Sequence, residues 1–243
     1  MFDYDIYKAI INIYNGRIQK EYTRYIGGRI LKKDEFIKKL ICHKLIAAVK
    51  EEKHIEKAIN KNLSGVFLLT GNIGVIKRYV DLYKSYDMFV FVHIEKIGGI
   101  SFDKEGLEFV ANYVKPDGII TTKNNLIKLA KKLDMLTIQR CFMIDTDAFK
   151  KTIEISKETQ PDFIELMPAL MPDVISEFTK NAKEPVISGG LIKTSEHMIN
   201  ALISGAIAVS TGNPKLWDIN ISKMLEEVSQ WRGQRQLQNM VKL

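Results

Sequence analysis

The sequence predicts an α/β chain folded as a single (β/α)8 (TIM) barrel with an N-terminal helical extension, and three observations carry that expectation. From about residue 44 onward, short β-rich runs alternate with amphipathic segments of about ten to fourteen residues. The runs are almost continuously apolar, as strands buried on both faces of a parallel sheet are. The 243 residues of the chain lie close to the roughly 250 that one such barrel uses.

Strands are expected at Leu45–Val49, Val66–Leu69, Met88–His93, Gly118–Thr121, Leu136–Arg140, Phe163–Met167, Val186–Ser188 and Ala206–Ser210. Helices are expected between them over Ile73–Tyr83, Lys104–Val114, Asn124–Leu133, Asp147–Thr159, Asp173–Thr179 and Ser195–Ser204. Ser195 caps an apolar stripe that begins with Met198 and Ile199, and Pro172 suits a helix's first turn. Pro116-Asp117-Gly118 and Pro161-Asp162 stand just before strands, where a turn delivers the chain to the lower rim. This alternation fits a closed barrel or an open doubly wound sheet. Regular spacing favours closure, and neither a G-x-G-x-x-G after the first strands nor a Walker A motif occurs.

Three regions follow: residues 1–40 as a basic helical extension, 41–228 as the barrel, and 229–243 as a polar basic tail. In the extension Tyr4, Tyr7, Tyr14, Tyr22 and Tyr25 mix with Arg17, Lys20, Arg24 and Arg29; a helix is expected from Tyr4 to Tyr14, with breaks at Asn15-Gly16 and Gly27-Gly28. Rings and cations together can stack on and neutralise single-stranded RNA. Packing of the same aromatics on the barrel or on a second subunit is slightly favoured, which makes this arm the candidate element for a homodimer.

The net charge of +7 is unevenly placed. Residues 1–44 hold ten Lys/Arg against five Asp/Glu, residues 230–243 hold Arg232, Arg235 and Lys242 with no acid, and the stretch between is close to neutral. Such basic ends are an electrostatic footprint for nucleic acid or, equally, a solvated helix face and a tail. No run approaches the roughly 18 to 20 apolar residues of a membrane span, and the Asp3, Asp5, Lys8 start does not read as a signal peptide. A cytoplasmic protein with no membrane partner is expected. Cys42 and Cys141 form neither a disulfide framework nor a metal-binding pattern.

Function in a parallel barrel gathers where the strands end. Gly189 and Gly190, and after them Ser210, Thr211, Gly212 and Asn213, end the last two strands in small and hydroxyl-bearing residues. Glycine lets backbone N–H groups approach an anion, and Ser and Thr add donors, so the pair predicts a phosphate grip. Thr70, Gly71, Asn72, Glu95, Thr121, Thr122 and Gln139 share this end. Glu165, inside an apolar strand, must be paired or solvated; it is a hydroxyl acceptor, a general base, or the partner of Arg140 on the neighbouring strand. Arg140 is a fork for phosphate or carboxylate. His93 is an acid/base group, a donor to ligand or a satisfied core residue. Lys123 follows its strand, which suits a phosphate or surface lysine better than a Schiff-base nucleophile. With His93 alone at the mouth there is no metal set, and neither a cofactor nor a complete catalytic set is expected.

Val66-Phe67-Leu68-Leu69-Thr70-Gly71, Phe91-Val92-His93-Ile94, Lys115 to Lys123, Leu136-Thr137-Ile138-Gln139-Arg140, Ser188-Gly189-Gly190-Leu191-Ile192 and Ala208-Val209-Ser210-Thr211 together resemble the glycerol uptake operon antiterminator regulatory protein family. The resemblance runs in order through roughly residues 40–220. It implies a barrel that responds to glycerol 3-phosphate and acts on leader mRNA to prevent transcription termination, a regulator and not an enzyme. It also implies that Gly189, Gly190, Ser210 and Thr211 grip the phosphate while His93, Arg140 and Glu165 face the glycerol part. Gly98-Gly99 departs from the pattern, and the two ends of the chain lie outside it. The competing expectation is a barrel isomerase or lyase for a small phosphorylated substrate, with Glu165 as base and His93 as acid.

Overall fold

Eight parallel strands pair in chain order and close on themselves, β1 hydrogen-bonding to both β2 and β8, in a computed structural model that describes residues 28–228. They are β1 Leu45–Val49, β2 Gly65–Leu68, β3 Val90–His93, β4 Gly118–Thr121, β5 Leu136–Phe142, β6 Phe163–Met167, β7 Val186–Gly189 and β8 Ala208–Thr211. The expected helix at residues 4–14 and the tail from residue 229 lie outside the described residues.

Side chains alternate across each strand and feed two apolar layers. Ile46, Ala48, Phe67, Phe91, Ile120, Ile138, Phe163, Ile187 and Ala208 fill the barrel, while Leu45, Ala47, Val49, Val66, Leu68, Val90 and Val92 face the helices. Both sides of every strand are therefore dry, which is why the runs read as apolar throughout. Each large side chain fully buried in this way contributes about 1.5–3 kcal/mol.

Helix α1, Gly28–His43, crosses the end where the strands begin, the floor. It inserts Phe36, Ile37 and Leu40 into the inner layer. The Phe36 ring meets Phe89, Phe91 and Phe163 at centroid distances of 5.0, 4.7 and 5.2 Å, and so stoppers the barrel from below. The outer ring contains α2 Ile76–Ser85, α3 Lys104–Phe109, α4 Asn124–Lys132, α5 Thr146–Thr159, α6 Pro172–Asn181 and α7 Ser195–Ile203. Between β1 and β2 two 3-10 turns, Glu52–His54 and Glu56–Ala58, stand in place of a full helix. Residues 221–228 form a last helix, tied to α1 by Ser222 Oγ donating to the Cys42 carbonyl.

Element edges move where tertiary partners decide them. α2 begins at Ile76, three residues after the expected start, because Asn72 is bridged to Gly98 and its side chain accepts the Gly74 N–H at 2.9 Å. β5 runs on to Phe142 because β6 supplies a ladder partner, Met167, at that position. Beyond α3 the expected helix widens into a π turn, Val110–Val114, closed by Lys115 N donating to the Val110 carbonyl at 2.8 Å, and ends at Lys115 in the left-handed region. α5 and α7 start where the side chains of Asp145 and Thr194 accept N–H groups of their first turns.

Candidate functional site

At the mouth, where the strands end, the inward positions carry polar groups. Arg140 and Glu165 are register partners on β5 and β6, and both are buried, Glu165 completely. Arg140 Nε lies 2.7 Å from Glu165 Oε2, and Ser210 Oγ donates to Oε1 at 2.6 Å across the barrel. Both carboxylate oxygens are thus engaged. Removing one partner of such a sealed pair leaves an uncompensated buried charge, at a cost of about 3–5 kcal/mol.

Gly189 is the floor tile over this network. A Cβ there would collide with Ser210 Oγ and stand 2.9 Å from Glu165 Oε1. Its neighbour Gly190 has φ +80, Leu191 follows at φ 60, and a Cβ on Gly190 would stand 2.6 Å from Met167 Cε. This left-handed turn leaves the N–H groups of Gly190 and Leu191 with no protein acceptor among the described residues, and the Gly212 N–H after β8 is likewise open.

Lys50, the first residue past β1, reaches across to the same place. A Cβ on Gly212 would lie 2.9 Å from Lys50 Cε and 3.2 Å from its Nζ, so the ammonium rests against the β8 loop. It makes no ion pair among the described residues. Sequence reasoning missed Lys50, although the rule that strand ends carry function, applied to β1, points to it. The acidic Glu51-Glu52 that follows disguises it as part of a solvated turn.

His93 faces inward at the end of β3 and is 3% exposed. Its Nδ1 stands 3.1 Å from Glu95 Oε2, off the hydrogen-bonding axis, and neither atom has a hydrogen-bond partner among the described residues. Glu95 Oε1 accepts from Thr121 Oγ1 at 2.7 Å, Thr122 N at 2.8 Å and Thr122 Oγ1 at 3.0 Å. Burial pushes the Glu95 carboxyl up, but His93 and these donors outweigh it and hold the group at about 2. Glu95 is therefore a fixed anion that ties β3 to β4.

Three candidates stand apart from this cluster. Thr211 shares the register and the sheet face of Ala47, which packs in the outer layer, and its Oγ1 accepts the Asn213 N–H at 3.2 Å. The expectation that its hydroxyl grips a ligand is corrected: odd positions of β8 point to the helices, so Thr211 shapes the loop. Lys123 is exposed at the rim, with Nζ 4.2 Å from the centroid of the Phe102 ring. Gln139 also turns outward, bonded to Asn124 and Thr159. Among the described residues no His/Cys/Asp/Glu group is arranged to hold a metal, and no helix is long and apolar enough to cross a membrane.

Residues 45–217 match the model of the family described as glycerol-3-phosphate responsive antiterminator. The chain belongs to that family of regulators. A glycerol uptake operon antiterminator regulatory protein from Listeria monocytogenes is similar in structure, with a TM-score of 0.69 at 37% identity, over 72% of this chain and 94% of that one. A related protein from Thermotoga maritima gives 0.63 at 29% identity, over 72% and 98%. In sequence, the uncharacterized protein YgcP of Escherichia coli is 31% identical over 72% of this chain and 92% of its own length. The deoxyribose phosphate aldolase of Aeropyrum pernix, at 10% identity and a TM-score of 0.57, shares the fold alone.

Proposed function

We propose that the mouth is a sensor pocket for glycerol 3-phosphate, and that its occupancy governs how the protein acts on the leader of a glycerol-utilisation transcript. The observation that carries this reading is the set of open N–H groups at Gly190 and Leu191 after β7 and at Gly212 after β8, with the Lys50 ammonium against Gly212, beside a sealed Arg140–Glu165–Ser210 network. Three N–H donors and one cation suit the three peripheral oxygens of a phosphate monoester. The glycerol hydroxyls then reach toward His93 at the end of β3 and Thr122, the residue after β4.

The arrangement supports a receptor more than an enzyme. Both oxygens of Glu165 are committed to protein partners, and Lys123 is exposed with its ammonium over the Phe102 ring, without the burial that activates a Schiff-base lysine. Family membership points the same way.

Thermal unfolding with glycerol 3-phosphate, inorganic phosphate and glycerol tests the pocket. Glycerol 3-phosphate is expected to raise Tm with a concentration dependence that follows binding, more than phosphate and far more than glycerol. An unchanged Tm at millimolar glycerol 3-phosphate overturns the assignment. Turnover of the compound would restore the enzyme.

A further inference from the structure

We infer that the surface that meets RNA is the floor of the barrel, built on α1, at the opposite end from the ligand mouth. The inference rests on the antitermination reading above and adds a location to it. Most of the basic excess that the sequence places before the first strand falls within this helix, where Arg29, Lys32, Lys33, Lys38 and Lys39 stand against Asp34 and Glu35. Packing Phe36, Ile37 and Leu40 into the barrel orients this helix across the floor.

There the cations outnumber the acids that hold them. Asp162 Oδ2 accepts Thr137 N and Oγ1, each at 2.9 Å, and lies 2.5 Å from Arg29 Nη2, while Oδ1 is 3.7 Å from Lys33 Nζ. Asp117 Oδ2 accepts Val90 N at 2.9 Å, and its Oδ1 faces Lys84 at 3.6 Å and Lys32 at 4.0 Å. Lys131 joins the first group through the Gln160 carbonyl at 2.7 Å. Its ammonium is pulled below the usual lysine range, first by burial and then by Arg29, with Lys33 adding to the effect and Asp162 and Glu184 opposing it.

Four cations, Arg29, Lys32, Lys33 and Lys84, thus share two carboxylates, both of which also serve backbone N–H groups, while Lys39 has its own partner in Asp87. Two loose contacts of 3.6 and 4.0 Å at Asp117 satisfy a lysine poorly and leave it able to turn to an outside anion. Beside them a cleft of about 310 Å3 sets Lys32 and Lys84 next to Leu31, Met88 and Phe89, with Glu35, Asp87 and Asp117 also in its lining, so that the cationic excess lies along α1 and not in the cleft itself. Cations flanking apolar surface are what a phosphate chain with intervening bases uses. At the mouth the buried guanidinium is matched by Glu165, and Lys50, against Gly212, is left for the small ligand.

Two ends mean two simultaneous ligands. RNA and glycerol 3-phosphate do not compete for one site, so any effect of one on the other is a coupling and is reciprocal.

The test uses the full chain, a labelled leader RNA and anisotropy over a range of salt. Lys32→Gln, Lys33→Gln and Lys84→Gln combined are expected to weaken RNA binding at least tenfold and to lower the salt slope by about two to three. The same change at three exposed cations on the mouth side, Lys53, Lys57 and Lys96, is expected to leave both nearly unchanged. Amine-reactive footprinting of the unmodified protein checks the result without relying on a variant's folding: RNA should protect Lys32, Lys33 and Lys84 and spare Lys53, Lys57 and Lys96. Wild-type protein that fails to bind leader RNA overturns the antitermination reading itself. Wild-type binding with an unaffected floor variant, or with protection at the mouth instead, overturns only the floor assignment.

Discussion

Deep in the mouth, buried charges are matched: Arg140 faces Glu165 at 2.7 Å, and Glu95 is held by Thr121 and Thr122 beside His93, with Lys50 left open at the entrance among the described residues. At the floor, Arg29, Lys32, Lys33, Lys84 and Lys131 crowd around Asp117 and Asp162, and several of their contacts exceed 3.5 Å. A sealed pair has one geometry and little to offer except shape, which suits recognition of a small molecule. A half-exposed excess has many geometries and a field that reaches about a Debye length into solvent, which suits a flexible polyanion. The same charged residue types therefore serve rigidity at one end and attraction at the other.

The largest expected effect tests the sealed side. Arg140→Leu leaves Glu165 buried with only Ser210 as partner, and is expected to lower unfolding free energy by about 3–5 kcal/mol in urea titrations. Arg140→Leu with Glu165→Leu should recover most of that loss, since two apolar groups replace a buried ion pair at little net cost. Lys84→Gln at the floor should move stability by no more than about 0.5 kcal/mol. Equal losses at the two ends would dissolve the distinction.

Binding gives the next effect. Lys50→Ala is expected to leave stability within about 0.5 kcal/mol of wild type, because the side chain is exposed and unpaired among the described residues. Its loss should cost about 1.5–3 kcal/mol of glycerol 3-phosphate affinity, more than tenfold in Kd by calorimetry. An unchanged Kd would remove Lys50 from the pocket. Gly189→Ala acts differently, since its methyl displaces Ser210 Oγ from Glu165; about 1–3 kcal/mol of stability should go together with ligand binding.

How much of this was legible in the sequence differs between the same two ends. β1, β4 and β6 have the expected boundaries because their apolar runs are bounded by turn residues, and the Arg140–Glu165 pairing follows from two polar residues in neighbouring apolar strands. Thr211 misleads because a hydroxyl at a strand end looks the same whichever face it takes; one residue of register separates Ser210, inside, from Thr211, outside. The floor helix is harder to read. Phe36, Ile37 and Leu40 enter the inner layer with Ile41 packed beside them, and the surrounding lysines make the segment look like part of a solvated arm. Its role becomes visible when the Phe36 ring is seen under Phe91 and Phe163.

The smallest effect separates the ends by pH. Glu95 is held at about 2 instead of the ordinary 4.5, so its partners favour the charged form in the folded state. A carboxyl lowered on folding contributes stability that is complete above its unfolded value and is lost as pH falls through the folded one. The window is therefore from about 4.5 down to about 2. With the side chain 15% exposed, solvent screening reduces the contribution to about 1 kcal/mol. Glu95→Gln should be less stable than wild type at pH 6 by that amount, and the gap should narrow at pH 3, where the carboxyl of the unfolded chain has taken up its proton while the folded one remains charged. A gap of constant size would mean that Glu95 acts through shape and neutral hydrogen bonds, and that the β3–β4 edge of the mouth is held without charge.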